Sequence, residues 1–337
     1  MRYPSYRYII ISLCLIFTGI DAIAASKKGF TFYLENDSRD IGGPGSDNAY
    51  SSGLRISYVS AMNKTPKWAD AMMAWPELLD QKIKNDEKNF GLSLGQQLYT
   101  PNDIREPRLI INDRPYAAWL YVGFTSHFKS EKRSHSFELD LGVVGPEAQG
   151  EYVQNGYHKI IRKYPAEGWS NQLGTEPTLQ MTYQQRQQFF ELSSPSKNKY
   201  FDVIPFHGLS LGTVAIDAHV GGLLRAGFNL PNDFGPVKAA STEGDVFVSD
   251  KKVNQLSIYS FLGARATGVV RNIFLDGNSF KQSHHVHKIP LVIESEFGFA
   301  AEWYDWNLAW RFVTRSPEFT ERSDYNSFAS IAITHLF

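Results

Sequence analysis

A small set of side chains carries whatever chemistry this chain can perform. Gln154 and His158 stand four residues apart, so on a helix they share a face. A histidine can act as general base on water or a hydroxyl at neutral pH. Upstream, Asn36-Asp37 sets a carboxylate beside an amide oxygen, and Ser51 offers a hydroxyl. Oxygen donors of that kind suit a hard cation such as calcium, although Asn and Asp also favour plain turns for backbone reasons. Arg114 suits bidentate contact with a phosphate, or equally an ion pair to Asp113 or another loop carboxylate. Elsewhere, His284, His285 and His287 form a tract without a carboxylate partner and are expected to be solvated. His207 and His219 lie in alternating runs and are expected as hydrogen-bonding residues inside the fold. Asp276-Gly277 reads as a turn.

The element that must position His158 is the stretch 145–177, GPEAQGEYVQNGYHKIIRKYPAEGWSNQLGTEP. At helical spacing Val153, Tyr157, Ile160, Ile161 and Tyr164 fall on one stripe. Glu151, Gln154, Asn155, His158 and Arg162 fall on a second stripe about 100° away. The pattern predicts a short amphipathic helix with its apolar side docked and its polar side displayed. Gly156 in its middle costs about 1 kcal/mol of helix propensity.

Around this interruption, apolar residues recur at every second position. Phe32 and Leu34 alternate with Thr31, Tyr33 and Glu35; Phe137, Leu139, Leu141 and Val143 alternate with Ser136, Glu138, Asp140 and Gly142. Such runs predict about twelve strands of roughly ten residues, a length that suits a tilted membrane strand. A soluble sandwich would have shorter strands with a polar outer face. Here one parity is small or polar while the other carries Trp, Tyr and Phe, which together make 14% of the chain. The fold class expected is all-β, a transmembrane antiparallel outer-membrane β-barrel with short helices in its loops. Closure pairs every backbone group, as lipid requires.

Residues 1–24 read as a secretory signal peptide: Arg2 and Arg7, an apolar run from Ile9 to Ile20, then Ala22-Ile23-Ala24. Cleavage after Ala24 leaves residues 25–337 as the barrel domain and removes Cys14, the only cysteine. The exported chain then has neither a disulfide framework nor thiol chemistry. A net charge of −1 gives no sign of a nucleic-acid partner. With both termini in the periplasm, loops at about 36–52, 99–117, 146–176 and 273–287 face outward. Asn36, Asp37, Ser51, Gln154 and His158 are thereby expected to converge at one rim. Two long periplasmic intervals remain, 61–88 and 229–253, with no evident task beyond plugging or covering the barrel floor. The first carries an amphipathic helix with Trp68, Met72, Trp75 and Leu79 on one side.

Several blocks of sequence are familiar. LEND (34–37), YSSGLRISY (50–58), YTPNDI (99–104), DRPYAAWLY (113–121), GVVGPEAQGEYVQNGYHKII (142–161), GWSNQLGTEP (168–177) and DGNSF (276–280) run in order along the chain. Together they resemble the lipid A 3-O-deacylase family of Gram-negative outer membranes. The resemblance implies a twelve-stranded barrel in the outer membrane that hydrolyses the 3-position ester of lipid A with Ca2+, its active site facing the outer leaflet. It implies roles for Asn36, Asp37, Gln154 and His158, and for Ser51 where the family has threonine. It also implicates a glutamate after the histidine, for which Glu167 is the candidate. In that mechanism His158 activates water, and calcium near Asp37, with Asn36 or Ser51, stabilises the oxyanion; Ser51 as a covalent nucleophile is the alternative. The apolar stripe from Val153 to Tyr164 would then meet either the barrel mouth or the acyl chains of the lipopolysaccharide substrate. The final Phe337 resembles the terminal signal read by the barrel assembly machinery, and a monomer in outer-membrane lipid is expected. Two other readings stand beside this one: an outer-membrane phospholipase, although no His-x-Ser occurs in the chain, and a non-enzymatic pore or scaffold.

Overall fold

A computed structural model describes residues 27–37, 49–79, 81–236 and 256–337. The expected signal peptide with Cys14, and the middle of the first outer loop, lie outside these residues. The strands are β1 (Gly29–Asn36), β2 (Ala49–Val59), β3 (Glu87–Thr100), β4 (Ala117–Lys129), β5 (Arg133–Val144), β6 (Glu176–Gln187), β7 (Phe190–Ser193), β8 (Lys199–Gly212), β9 (Ala215–Phe228), β10 (Ser257–Asn272), β11 (Leu291–Trp303), β12 (Trp306–Arg315) and β13 (Asn326–Leu336). Three helices accompany them: α1 (Lys67–Leu79), α2 (Gly150–Ile161) and α3 (Ile273–Asp276). Neighbouring strands pair antiparallel in chain order, β1 pairs with β13, and β6 pairs with β8. The result is a closed twelve-stranded barrel, with β7 a short flap beside β8.

Alternation decides which side each residue faces. Leu92, Leu94, Val122, Leu141, Leu209, Leu211, Leu262 and Phe299 point outward and are exposed. On the opposite parity Thr31, Ser57, Ser93, Glu138, Gln180, Ser210 and Thr334 are buried in the lumen. The lumen is nonetheless richer in large groups than the pattern predicts. Buried arginines are paired there: Arg55 with Glu138 (2.8 Å), Arg311 with Glu296 (3.1 Å), and Arg225 with both Asp202 (2.7 Å) and Asp233 (2.5 Å). Inward aromatic rings support them, Tyr259 under Arg225 and Phe261 under Arg311. A guanidinium on an aromatic face with a bidentate carboxylate keeps most of its donors satisfied without water. One histidine is corrected. His219 is buried on the lumen parity, but His207 shares the outward parity of Leu209 and Leu211 and is exposed. A one-residue difference in a strand reverses the face.

The two long periplasmic intervals part company. Residues 229–236 do cover the floor: Leu230 and Phe234 are buried, Asp233 grips Arg225, and Arg186 donates to the Phe234 carbonyl. By contrast, α1 does not plug anything. Its Ala69 and Met73 pack on Phe90, Phe124, Phe128 and Phe137, which lie on the outward parity of β3, β4 and β5. The helix therefore lies outside the barrel wall.

Two outcomes are expected. Replacing Arg225 with Met leaves Asp233 without its guanidinium and Asp202 with only Lys199 (3.0 Å). Breaking such a buried pair costs about 3–5 kcal/mol, whereas Leu211→Ile on the outer wall should cost less than about 1.5 kcal/mol; urea unfolding in vesicles compares them. In α2, Gly156 is exposed and a Cβ there would meet nothing within 4 Å. Gly156→Ala should stabilise the helix by about 0.5–1 kcal/mol, read as slower amide exchange across 150–161.

Candidate active site

The site is built where β1 to β4 reach the outer rim. Backbone register sets Asn36 beside Ser52, Ser52 beside Leu98 and Leu98 beside Ala118. These four make one row on the outward face of four adjacent strands, about 4.8 Å apart from strand to strand. Glu35, one residue earlier, points inward and accepts from the Tyr50 hydroxyl (2.7 Å). Asn36 is therefore on the wall, and Asp37 follows it fully buried. Ser51 is the extra residue of a bulge, between the Tyr50–Tyr99 and Ser52–Leu98 pairs. Bulges re-aim side chains, and here the Ser51 hydroxyl meets that of Thr100 (2.5 Å).

The loop 145–175 folds down over the same wall. Gly145, with φ 110, turns the chain out of β5, and a Cβ there would sit 2.7 Å from the Thr175 nitrogen. Gly150 then lets α2 begin against Ala118 of β4 and the Trp169 ring, both within 2.7 Å of the Cβ it lacks. The helix ends at Arg162 in the left-handed conformation (φ 59), and the returning chain is clasped along α2 by three side chains. Trp169 Nε1 donates to Gln154 Oε1 (2.8 Å). Asn155 exchanges bonds with Ala166, its Oδ1 accepting from the backbone N–H (2.7 Å) and its Nδ2 donating to the carbonyl (3.2 Å). His158 Nδ1 lies 2.7 Å from the Tyr164 carbonyl. A carbonyl only accepts, so Nδ1 carries the proton and, in the neutral ring, the lone pair is on Nε2. That is the tautomer a general base requires.

The amphipathic helix is where it was expected, but its faces are reversed. Gln154 and His158 are buried, His158 only 2% exposed. Ile160 is 80% exposed, and Val153, Tyr157, Ile161 and Tyr164 of the apolar stripe are also on the surface. The apolar stripe turns away from the protein and the polar stripe turns toward it. The barrel mouth is thereby ruled out as its partner.

Among the predicted site residues, the structure groups Asn36, Asp37 and Ser51 at one end of the wall row and Gln154 with His158 on the helix that starts over the other end. Glu167 is apart from both: its backbone N–H bonds the Ile104 carbonyl (2.8 Å), which ties this loop to the neighbouring loop 101–116, and its side chain is exposed. Arg114 lies elsewhere again. It is buried in the barrel mouth, paired with Glu318 (3.0 Å) and stacked on Tyr99 and Phe319. This is the loop-carboxylate partner, one of the two surroundings expected for it. Burial would raise the Glu318 carboxyl, but Arg114 and Arg315 hold it below the usual carboxylate range. In the histidine tract, His284 Nε2 donates to the Asp113 carbonyl (2.7 Å) and His287 meets Glu321 (2.7 Å). Sequence reasoning missed Trp169 and Thr100. Trp169 stands in GWSNQLGTEP, and its indole N–H beside an amide-bearing helix was the available signal.

A cation at this rim would have to use oxygen donors of mixed kind. Among the described residues no three His, Cys, Asp or Glu side chains are grouped so as to hold a metal ion. One carboxylate (Asp37), the Asn36 amide and the Ser51 and Thr100 hydroxyls, supplemented by backbone carbonyls, fit the hard, flexible coordination of calcium.

Comparison with known proteins agrees with this architecture. The solved structure of LpxR from Salmonella typhimurium is similar with a TM-score of 0.74 at 20% identity, covering 92% of this chain and all of that one. The beta domain of the Bordetella autotransporter BrkA is a remoter match, with a TM-score of 0.42 at 13% identity, covering 93% of this chain and 99% of that one. No curated protein sequence matches. The family described as Outer membrane protein LpxR matches over residues 9–337, nearly the whole length. The chain belongs to the LpxR family of outer-membrane proteins.

Proposed function

We propose that this protein is an outer-membrane hydrolase that removes the 3-O-linked acyloxyacyl chain from lipid A in the outer leaflet. Family membership supports the coarser activity, lipid A deacylation at the outer membrane. The observation that carries the finer reading is His158: buried against the rim, fixed by the Tyr164 carbonyl, with its lone pair on Nε2. In this reading Nε2 takes a proton from water as the water oxygen attacks the ester carbonyl. Collapse breaks the bond to the sugar 3-oxygen, which takes up a proton, and the acyl part leaves as a free acid. Bound at Asp37, Asn36 and Ser51, calcium would supply positive charge for the oxyanion; a lost oxyanion donor typically costs about 3–4 kcal/mol. Gln154 holds Trp169 through Oε1, while its buried Nε2 has no hydrogen-bond partner among the described residues. That amide N–H is a donor available to substrate. Water is favoured over Ser51 as the nucleophile because the serine hydroxyl is engaged by Thr100 rather than by a histidine. The exposed apolar stripe of α2 suits contact with acyl chains.

The test is the mass of lipid A from cells that make the hexa-acylated form. Expression should convert it to a species lacking one acyloxyacyl group, and a calcium chelator should stop the conversion. Unaltered lipid A with calcium present would sink the assignment, and fatty acid released from phospholipid would favour a phospholipase. His158→Ala in a folded barrel should lose about 10²–10⁴-fold in rate. Asp37→Asn should lose activity that added calcium partly restores, and a variant indifferent to calcium would contradict the ligand role.

A further inference from the structure

The outer helix α1 is not used by the proposed reaction, and its three faces have distinct chemistry. Ala69, Met73 and Pro76 are buried, the first two against the barrel wall. Asp70 and Glu77, 100° further round, both meet Lys88 at the periplasmic start of β3 (3.8 and 3.3 Å). Thr65 also donates to Asp70. The charged face therefore looks toward the periplasm. Trp68, Met72 and Trp75 fall on the opposite face, which looks along the wall into the membrane. Trp68 is 49% exposed and Met72 39% exposed.

What covers that face follows from continuity with the membrane-facing wall. Outer-membrane barrels mark each lipid–water interface with a girdle of aromatic residues. Here the periplasmic girdle runs on outward positions from Phe337 to Phe30 (5.6 Å), Tyr58 (5.4 Å) and Phe90 (6.1 Å). Trp68 continues it from the helix, its ring 5.2 Å from Phe90 and 6.1 Å from Phe124. Height agrees. A strand tilted ~40° crosses an apolar band ~25 Å tall in about ten residues. Counted from Leu98 at the outer rim, that reaches about residue 88, so Phe90 and the helix upon it lie at the lower boundary of the band.

From this geometry we propose that α1 is an interfacial helix seated in the phospholipid leaflet on the periplasmic side. Trp68 and Met72 enter the acyl boundary while Asp70 and Glu77 stay at the water side, a helix lying in the interface plane. It covers β3 to β5 at the foot of the wall that carries α2 at its head, and so fixes the height of the outer rim relative to the bilayer.

Depth measurement tests it. A nitroxide is placed by Met72→Cys in a Cys14→Ser background, and the full barrel is reconstituted in phosphatidylethanolamine and phosphatidylglycerol vesicles. Val122→Cys on the exposed outer wall and Glu131→Cys in the periplasmic turn are the references. The Met72 label should collide with oxygen in preference to a water-soluble nickel chelate, falling nearer to Val122 than to Glu131. A label that ranks with Glu131 overturns the proposal. Should Met72→Cys fail to fold, as judged by loss of the compact unheated form on gels, Trp68→Cys on the same face gives the same reading with the same two outcomes.

Discussion

Lipid has no hydrogen bonds to offer, and this single constraint organises the molecule. Each backbone polar group in the wall must find its partner within the protein, and a sheet can manage that only by closing on itself. The β6–β8 pairing supplies the closure. The same rule drives arginines and carboxylates into the lumen, where they neutralise one another beside aromatic rings. It also reverses α2. A helix on a water-soluble protein buries its apolar stripe, while this one buries Gln154 and His158 and leaves Ile160 outside.

That reversal creates the chemical opportunity. A histidine on a solvated loop would be freely hydrated, but His158 is buried and clasped by the chain that returns along its own helix. Four bonds, which join Gln154, Asn155 and His158 to Trp169, Ala166 and Tyr164, depend on the left-handed turn at Arg162 that sends the chain back. The histidine tautomer is therefore a consequence of loop geometry. The loop is in turn held by Glu167 to the neighbouring loop and by Gly150 to the wall, so the site is preorganised by elements far apart in sequence.

Much of this was legible in the residues. Period-two alternation gave the barrel, because one face meets lipid and the other does not. The spacing of Val153, Tyr157 and Ile160 gave the helix, and strand order gave the outer rim for both Asn36–Ser51 and the loop that carries His158, the two groups lying toward opposite ends of one wall row. What could not be read was which medium each stripe faces. A helical pattern separates apolar from polar without saying whether lipid or protein takes the apolar side, so α2 was expected the wrong way round and α1 was expected on the floor. His207 was legible after all, since it shares the outward parity of Leu209 and Leu211 in mid-strand. The partner of Arg114 is Glu318, more than 200 residues away, and no local pattern names it.

The claim on which the rest turns is that the clasp sets the His158 tautomer. Nitrogen-15 shifts of the histidine rings in the folded barrel, assigned by comparison with His158→Gln, report it directly. In the neutral ring Nδ1 should show the protonated, pyrrole-type shift and Nε2 the unprotonated, pyridine-type shift. The reverse pattern would mean that Nε2 holds the proton and cannot accept one from water, and the account of His158 as base would be wrong.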